Sequence, residues 1–222
     1  MIEAVIFDFD GTLTELSLDF VGMRKEIEKI AEAYVDAVVI KRLGGLYLLE
    51  MISETGRAAG DRGEAFVEEA SARLRDLEVA AARGKKVYPY TRGVLRALRG
   101  KGAKIGIITR NCMAAVETVF PDMEAHVDAV ITREHVHEVK PKPGHVEAVL
   151  RALDATPSRA LLVGDHPTDI EAGKGAGAAT VGVLSGRTGR EEFERAGAAY
   201  ILDDIRGVVG LVEGTSRVPV RT

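Results

Sequence analysis

Near its start the chain carries an unbroken apolar run, Ala4-Val5-Ile6-Phe7, followed by Asp8, Phe9, Asp10 and Gly11. A short apolar run closed by a turn signal predicts a buried strand. Side chains alternate along a strand, so Asp8 and Asp10 start out on the same side as the chain leaves the sheet. After Thr12 the period becomes helical. Met23, Ile27, Ile30, Tyr34 and Val38 recur at three- and four-residue steps, which predicts one helix face. Lys41-Arg42-Leu43-Gly44-Gly45 predicts a break, and residues 46–58 a second helix stopped near Gly56 or Gly60. Phe66, Ala70, Leu74, Leu77 and Ala81 form a third stripe, with Glu68, Glu69, Arg73, Arg75 and Asp76 left to solvent.

From Tyr88 helix and strand alternate. Thr91 is placed to cap a helix through Leu98, closed by Gly100 and Gly102. Strands are expected at 104–108 (ending at Thr109), 129–131, 160–163, 179–183 and 200–202, with helices at 113–120, 145–153, from about Pro167, and near 205–212. Repeated β-α units with apolar strands imply a doubly wound parallel sheet covered on both faces, an α/β fold. A crossover needs only about a dozen residues, yet three helical stripes separate Asp10 from Lys104. The economical division is an α/β core of residues 1–14 and 88–222, with a helical module of residues 15–87 inserted after the double aspartate and hanging over the strand ends. The tail from Glu213 has no periodicity.

Composition narrows the field. The chain has 222 residues, a net charge of −4 and a single cysteine, Cys112. An acidic balance argues against a nucleic-acid or membrane-surface protein, and no apolar run approaches the eighteen or so residues of a membrane span. With no possible internal disulfide, no signal peptide in view and no Walker sequence, a cytoplasmic protein is expected. The glycines of Ala172-Gly173-Lys174-Gly175-Ala176-Gly177 lack dinucleotide spacing and are expected to serve packing and turning.

The chemistry gathers at strand ends. Asp8 lies there with Asp10, then Thr109, then Lys140 in the polar loop after 129–131, then Asp165 with Asp169. Neighbouring carboxylates about 4 Å apart repel by roughly 4 kcal/mol at an effective dielectric of about 20. Such a pair holds a proton or a cation. Each residue alone has a plainer reading: Asp10-Gly11 as a turn, Asp165 and Asp169 as acids suiting a helix N-terminus, Thr109 as a strand-end hydroxyl, Lys140 as a surface lysine. Their joint occurrence in this order is what stands against those readings.

With these motifs the chain resembles the haloacid dehalogenase-like superfamily, phosphatase branch, whose phosphoglycolate phosphatases carry a helical C1 cap. Asp8-Phe9-Asp10-Gly11-Thr12 is similar to its first motif, Thr109 to its second, Lys140 in Val139-Lys140-Pro141-Lys142-Pro143 to its third, and Gly164-Asp165-His166-Pro167-Thr168-Asp169 to its fourth. The resemblance implies a Mg²⁺-dependent phosphatase acting on a small soluble phosphorylated metabolite. It makes Asp8 the nucleophile that forms an aspartyl-phosphate and Asp10 the acid and then base. Mg²⁺ would be held by the carboxylates of Asp8 and Asp165 and by the carbonyl of Asp10, an all-oxygen set suited to that ion. Thr109 and Lys140 would bind the phosphoryl group, and Asp169 would support the metal or Lys140 from further out. Dehalogenases of the superfamily lack an aspartate at position 10, so its presence argues for phosphoryl transfer.

Departures and rivals complete the reading. His166 and Pro167 stand where smaller residues are commoner, and a helix-start role is the plainer one for His166. Lys142 is a second candidate for the phosphate lysine, set behind Lys140 because the motif places its lysine directly before the first proline. A response-regulator receiver combines similar residues but has no inserted cap, and a binding scaffold without catalysis usually lacks an essential acid. A phosphomutase of β-phosphoglucomutase type shares the same core motifs and is the main alternative. Arg24, Lys25, Lys41 and Arg42 are basic cap residues to test for specificity; the oligomeric state is not written in the sequence.

Overall fold

The computed structural model describes residues 2–16 and 18–214. Beyond Gly214 the unpatterned tail lies outside the described residues. The chain divides into two compact units, Met1–Leu16 with Gly84–Thr222, and Ser17–Arg83.

The first unit is built on six parallel strands: β1 (Ala4–Phe7), β2 (Lys104–Thr109), β3 (Ala129–Thr132), β4 (Ala160–Gly164), β5 (Ala179–Val183) and β6 (Tyr200–Leu202). Their order is β3-β2-β1-β4-β5-β6. Ala4 is paired with Lys104 on one side and Ala160 on the other. Buried on both faces, the central strands need continuous apolar sequence, and all four residues of β1 are fully enclosed. Ile6, Ile108 and Leu162 pack with Val146, Val149 and Leu150 of α7 (Gly144–Ala152) and Ala172 of α8 (Pro167–Gly175). The alternate residues Val5, Ile107 and Val163 are equally buried on the opposite face, where α5 (Thr91–Gly100) packs on β2. The remaining helices of this unit are α6 (Met113–Val119), α9 (Arg190–Ala196) and α10 (Val208–Val212).

At the base of the insertion, the outgoing and returning segments are joined. Thr14 bridges to Val87, its hydroxyl donates to the Lys86 carbonyl at 2.8 Å, and Tyr88 N–H donates to the Leu13 carbonyl at 2.9 Å.

The second unit consists of α1 (Phe20–Ala31), α2 (Ala37–Leu43), α3 (Leu48–Ala58) and α4 (Gly63–Ala82). Met23, Ile27, Met51, Ile52, Phe66, Ala70 and Leu74 form its core. A Cβ on Gly63 would stand 2.1 Å from the Gly56 carbonyl oxygen, so the backbones of α3 and α4 approach as only glycine permits.

Several element expectations need correction. The stripe running to Tyr34 and Val38 is not one helix: α1 ends at Ala31, a turn follows, and Val38 on α2 is 79% exposed. The second helix begins at Leu48, leaving Leu46 and Tyr47 exposed ahead of it. Thr91 does not cap α5 but is its first residue, and its hydroxyl donates to the Leu13 carbonyl at 2.9 Å. Helix α9 has no signature in the sequence pattern, since its only buried residue is Phe193 and one apolar position makes no period.

Candidate active site

The site lies at the carboxyl ends of β1 and β4, where the sheet's winding reverses direction; crevices at such switch points bind ligands in open α/β sheets. Asp8 follows β1 directly and its N–H donates to the Val163 carbonyl of β4 at 2.8 Å, continuing the ladder one residue past the strand. Gly11 then adopts φ +86°, a left-handed conformation that favours glycine, and turns the chain away. Asp165 follows the last residue of β4.

Lys140 links the two acidic motifs. Its ammonium donates to Asp8 Oδ1 at 2.5 Å and to Asp169 Oδ1 at 2.6 Å, and the side chain is 3% exposed. The second oxygen of Asp169 accepts the His166 N–H at 3.0 Å, the reciprocal half of a capping box that starts α8. Asp169 thus has one oxygen fixed to the helix and the other turned to the lysine. Lys140 itself precedes a cis peptide to Pro141, and its carbonyl accepts a hydrogen bond from the Arg110 guanidinium. Lys142 is outside this arrangement, exposed and paired with Glu138 at 2.7 Å. His166 is the N-cap of α8, its Nδ1 bonded to Thr168, which is the helix-start role.

Asp8, Asp165 and Asp169 present carboxylate oxygens that all lie within 4.8 Å of one another, buried. Three carboxylates against one ammonium leave excess negative charge in a dry place. The titration behaviour follows. Burial, then the charges of Asp8 and Asp169, push Asp165 up to about 9. Burial raises Asp169 to about 6 despite the opposing Lys140. Burial alone would lower Lys140, but Asp169 and Asp8 outweigh it and raise it above its ordinary value.

The carboxylate of Asp10 is not in this cluster. It faces Asn111, whose Nδ2 donates to Asp10 Oδ2 at 3.1 Å. The amide of Asn111 is oriented by Cys112 N–H, which donates to its Oδ1 at 2.9 Å. Thr109, the last residue of β2 and 1% exposed, accepts the Asn111 N–H on its hydroxyl at 3.0 Å. Asn111 and Arg110 were missed in the sequence; their only signal is position, directly after the strand-end threonine.

The donor set has the chemistry of a hard divalent cation site: oxygen only, carboxylate-rich, and short of positive charge. Buried charge of this density is stable when a cation or a proton neutralises it.

A family model described as haloacid dehalogenase-like hydrolase matches residues 2–177. Phosphoglycolate phosphatase of Rhodospirillum rubrum is 30% identical over 92% of this chain and 88% of that protein. Pyrophosphatase PpaX of Bacillus cereus is 32% identical over 59% of this chain and 61% of that protein, so the match spans under two thirds of its length. Among solved structures, a hydrolase from Pseudomonas syringae is similar with a TM-score of 0.70 and 25% identity, covering 96% of this chain and all of that one.

Proposed function

Because this chain belongs to the haloacid dehalogenase-like hydrolase family, we propose that it hydrolyses a small soluble phosphomonoester through an aspartyl-phosphate on Asp8. The observation that carries this reading is the buried Lys140 held between Asp8 and Asp169, with three carboxylates converging at the switch point of the sheet. Lys140 has no solvent to serve, and a tetrahedral dianion arriving beside Asp8 gives its charge a purpose.

In this mechanism one Asp8 oxygen attacks phosphorus and the bond to the ester oxygen breaks. Asp10 gives its proton to the departing alkoxide, then takes one from the water that attacks the aspartyl-phosphate and frees inorganic phosphate. Asn111 keeps the Asp10 carboxylate turned to one side throughout. The Thr109 hydroxyl and Lys140 ammonium bind the phosphoryl oxygens, and Asp169 steadies Lys140. Asp8, Asp165 and the Asp10 carbonyl would hold Mg²⁺, with Asp169 close by. When bound there, the ion would neutralise the charge of the phosphoryl oxygens and of the crowded acids.

We assign the helical insertion, residues 15–87, the role of a cap that selects the substrate. The small size of the substrate follows from that role, since a closing cap suits a compact ligand. Phosphoglycolate is a leading candidate because a relative matched over 88% of its length carries that name; pyrophosphate belongs in the same panel because of PpaX. We place the enzyme in the cytoplasm, in keeping with a lone, buried Cys112; among the described residues no helix is long and apolar enough to cross a membrane.

A phosphate-release screen over phosphoglycolate, sugar phosphates, pyrophosphate, phosphopeptides and p-nitrophenyl phosphate tests this. Activity should require Mg²⁺, vanish with EDTA, return on adding Mg²⁺, and favour a small monoester. Isomerisation of a sugar phosphate without net phosphate release would make the protein a mutase instead.

A further inference from the structure

Ser185 and Gly186, in the segment that follows β5, have no part in the mechanism above, yet Gly186 lies against Asp165. A Cβ built on Gly186 would stand 1.9 Å from Asp165 Oδ2 and 2.5 Å from its Cγ. From the other side, a Cβ on Gly11 would stand 2.3 Å from the same oxygen. The carboxylate is therefore seated between two stretches of backbone that approach it as no side chain allows. The two stretches are also tied together, because the Ser185 hydroxyl donates to the Gly11 carbonyl at 2.8 Å.

The purpose of such a seat follows from the charge around it. Once a cation replaces its proton, Asp165 faces the charges of Asp8 and Asp169, and an unseated side chain would be free to rotate away from them. A seat that blocks this rotation keeps the three acids converged before any cation arrives, and a ligand oxygen fixed in advance loses no freedom on binding. We propose that Ser185 and Gly186 are positioning residues for Asp165 that set the affinity of the site for Mg²⁺ and its preference for Mg²⁺ over Ca²⁺. This rests on the metal-binding reading given above. The preference follows from the ions: Mg²⁺ demands near-octahedral geometry at about 2.0–2.1 Å, whereas Ca²⁺ accepts longer, irregular coordination. A displaced carboxylate should therefore harm Mg²⁺ more.

Gly186→Ala is the direct test. The φ of Gly186 is outside the left-handed region, so its own backbone accepts alanine; the added methyl would press along the whole Asp165 side chain, 1.9 Å from Oδ2 and 2.6 Å from Cβ, so the carboxylate is displaced together with its Cβ. Calorimetric titration with each ion should give at least tenfold weaker Mg²⁺ binding than wild type, a smaller loss for Ca²⁺, and an unchanged far-UV spectrum. Wild-type affinities for both ions in Gly186→Ala would overturn the proposal while leaving the metal site itself standing. A wild-type protein that binds neither ion would remove the metal reading and the proposal with it. If Gly186→Ala does not fold, Ser185→Ala decides in its place. Severalfold weaker Mg²⁺ binding with the same change of preference supports the seat, and unchanged binding rejects it.

Discussion

Asp10 and Asn111 make the sharpest case at the scale of single residues. Asp10→Asn keeps the backbone carbonyl but removes the transferable proton. Turnover should drop by about 10²- to 10⁴-fold, and further for alkyl phosphates than for p-nitrophenyl phosphate, whose leaving group needs no proton. Steady-state kinetics on both substrates check this; equal losses would make Asp10 structural. Asp8→Asn should abolish turnover on both while the fold is retained. His145 supplies a different prediction. It is fully buried, its Nε2 bonds the Ile131 carbonyl at 2.9 Å, and its Nδ1 has no partner. Burial, aided by the Lys140 charge, lowers it to about 4 from 6.5. The unfolded chain then takes up a proton that the folded protein refuses, so the stability His145 contributes is complete above about pH 6.5 and is lost as pH falls toward 4. The loss is roughly 3 kcal/mol at most. Urea unfolding across that range should show His145→Gln with a shallower pH dependence than wild type. Sequence alone exposed the acids, Thr109 and Lys140 because each ends a strand or sits in a distinctive motif. Asn111 and His145 stayed hidden because a hydrogen bond to Asp10 or to Ile131 across the fold leaves no local pattern.

Helix α9 illustrates how elements are held without periodic sequence. Phe193 is its only buried residue, and it packs with Ile170 and Ala198. Room for the ring comes from β5, where a Cβ on Gly182 would lie 2.6 Å from the ring atoms Cγ and Cδ1 of Phe193. Gly182→Ala should force the ring aside and destabilise the protein by about 1–3 kcal/mol, the usual cost of overpacking. The urea midpoint should fall; a rise would mean that the strand gains more from alanine than the helix loses. The same contrast explains what could be read in advance. The strands were legible because burial on both faces demands continuous apolar runs, as in Leu161, Leu162 and Val163. The helix limits around Tyr34 and Thr91 were not, because apolar spacing continues through turns and a threonine at a helix start does not reveal its bonding partner.

On the scale of the whole molecule, the bridge between Thr14 and Val87 brings the two ends of the insertion together. A short glycine-serine linker should therefore span them without disturbing β1 or β2. If the insertion is the cap, its removal should erase discrimination among small phosphomonoesters and spare part of the activity on p-nitrophenyl phosphate. A truncated protein with the wild-type order of preference, measured as kcat/KM across the panel, would show that selection lies in the core. The strand order has a further consequence, one of timing. β1 is the central pair-former of the sheet, yet Lys104 and Ala160, the partners of Ala4, follow it by 100 and 156 residues. At about 5–20 residues per second of synthesis, the nascent chain carries β1 and the adjoining Asp8 wholly unpaired for roughly 5 to 20 seconds before β2 is made, and with one edge still open until β4 follows at roughly 8 to 30 seconds. An open strand edge of that kind is what intermolecular pairing exploits. The yield of folded protein should thus respond to elongation speed and to chaperones that occupy β1.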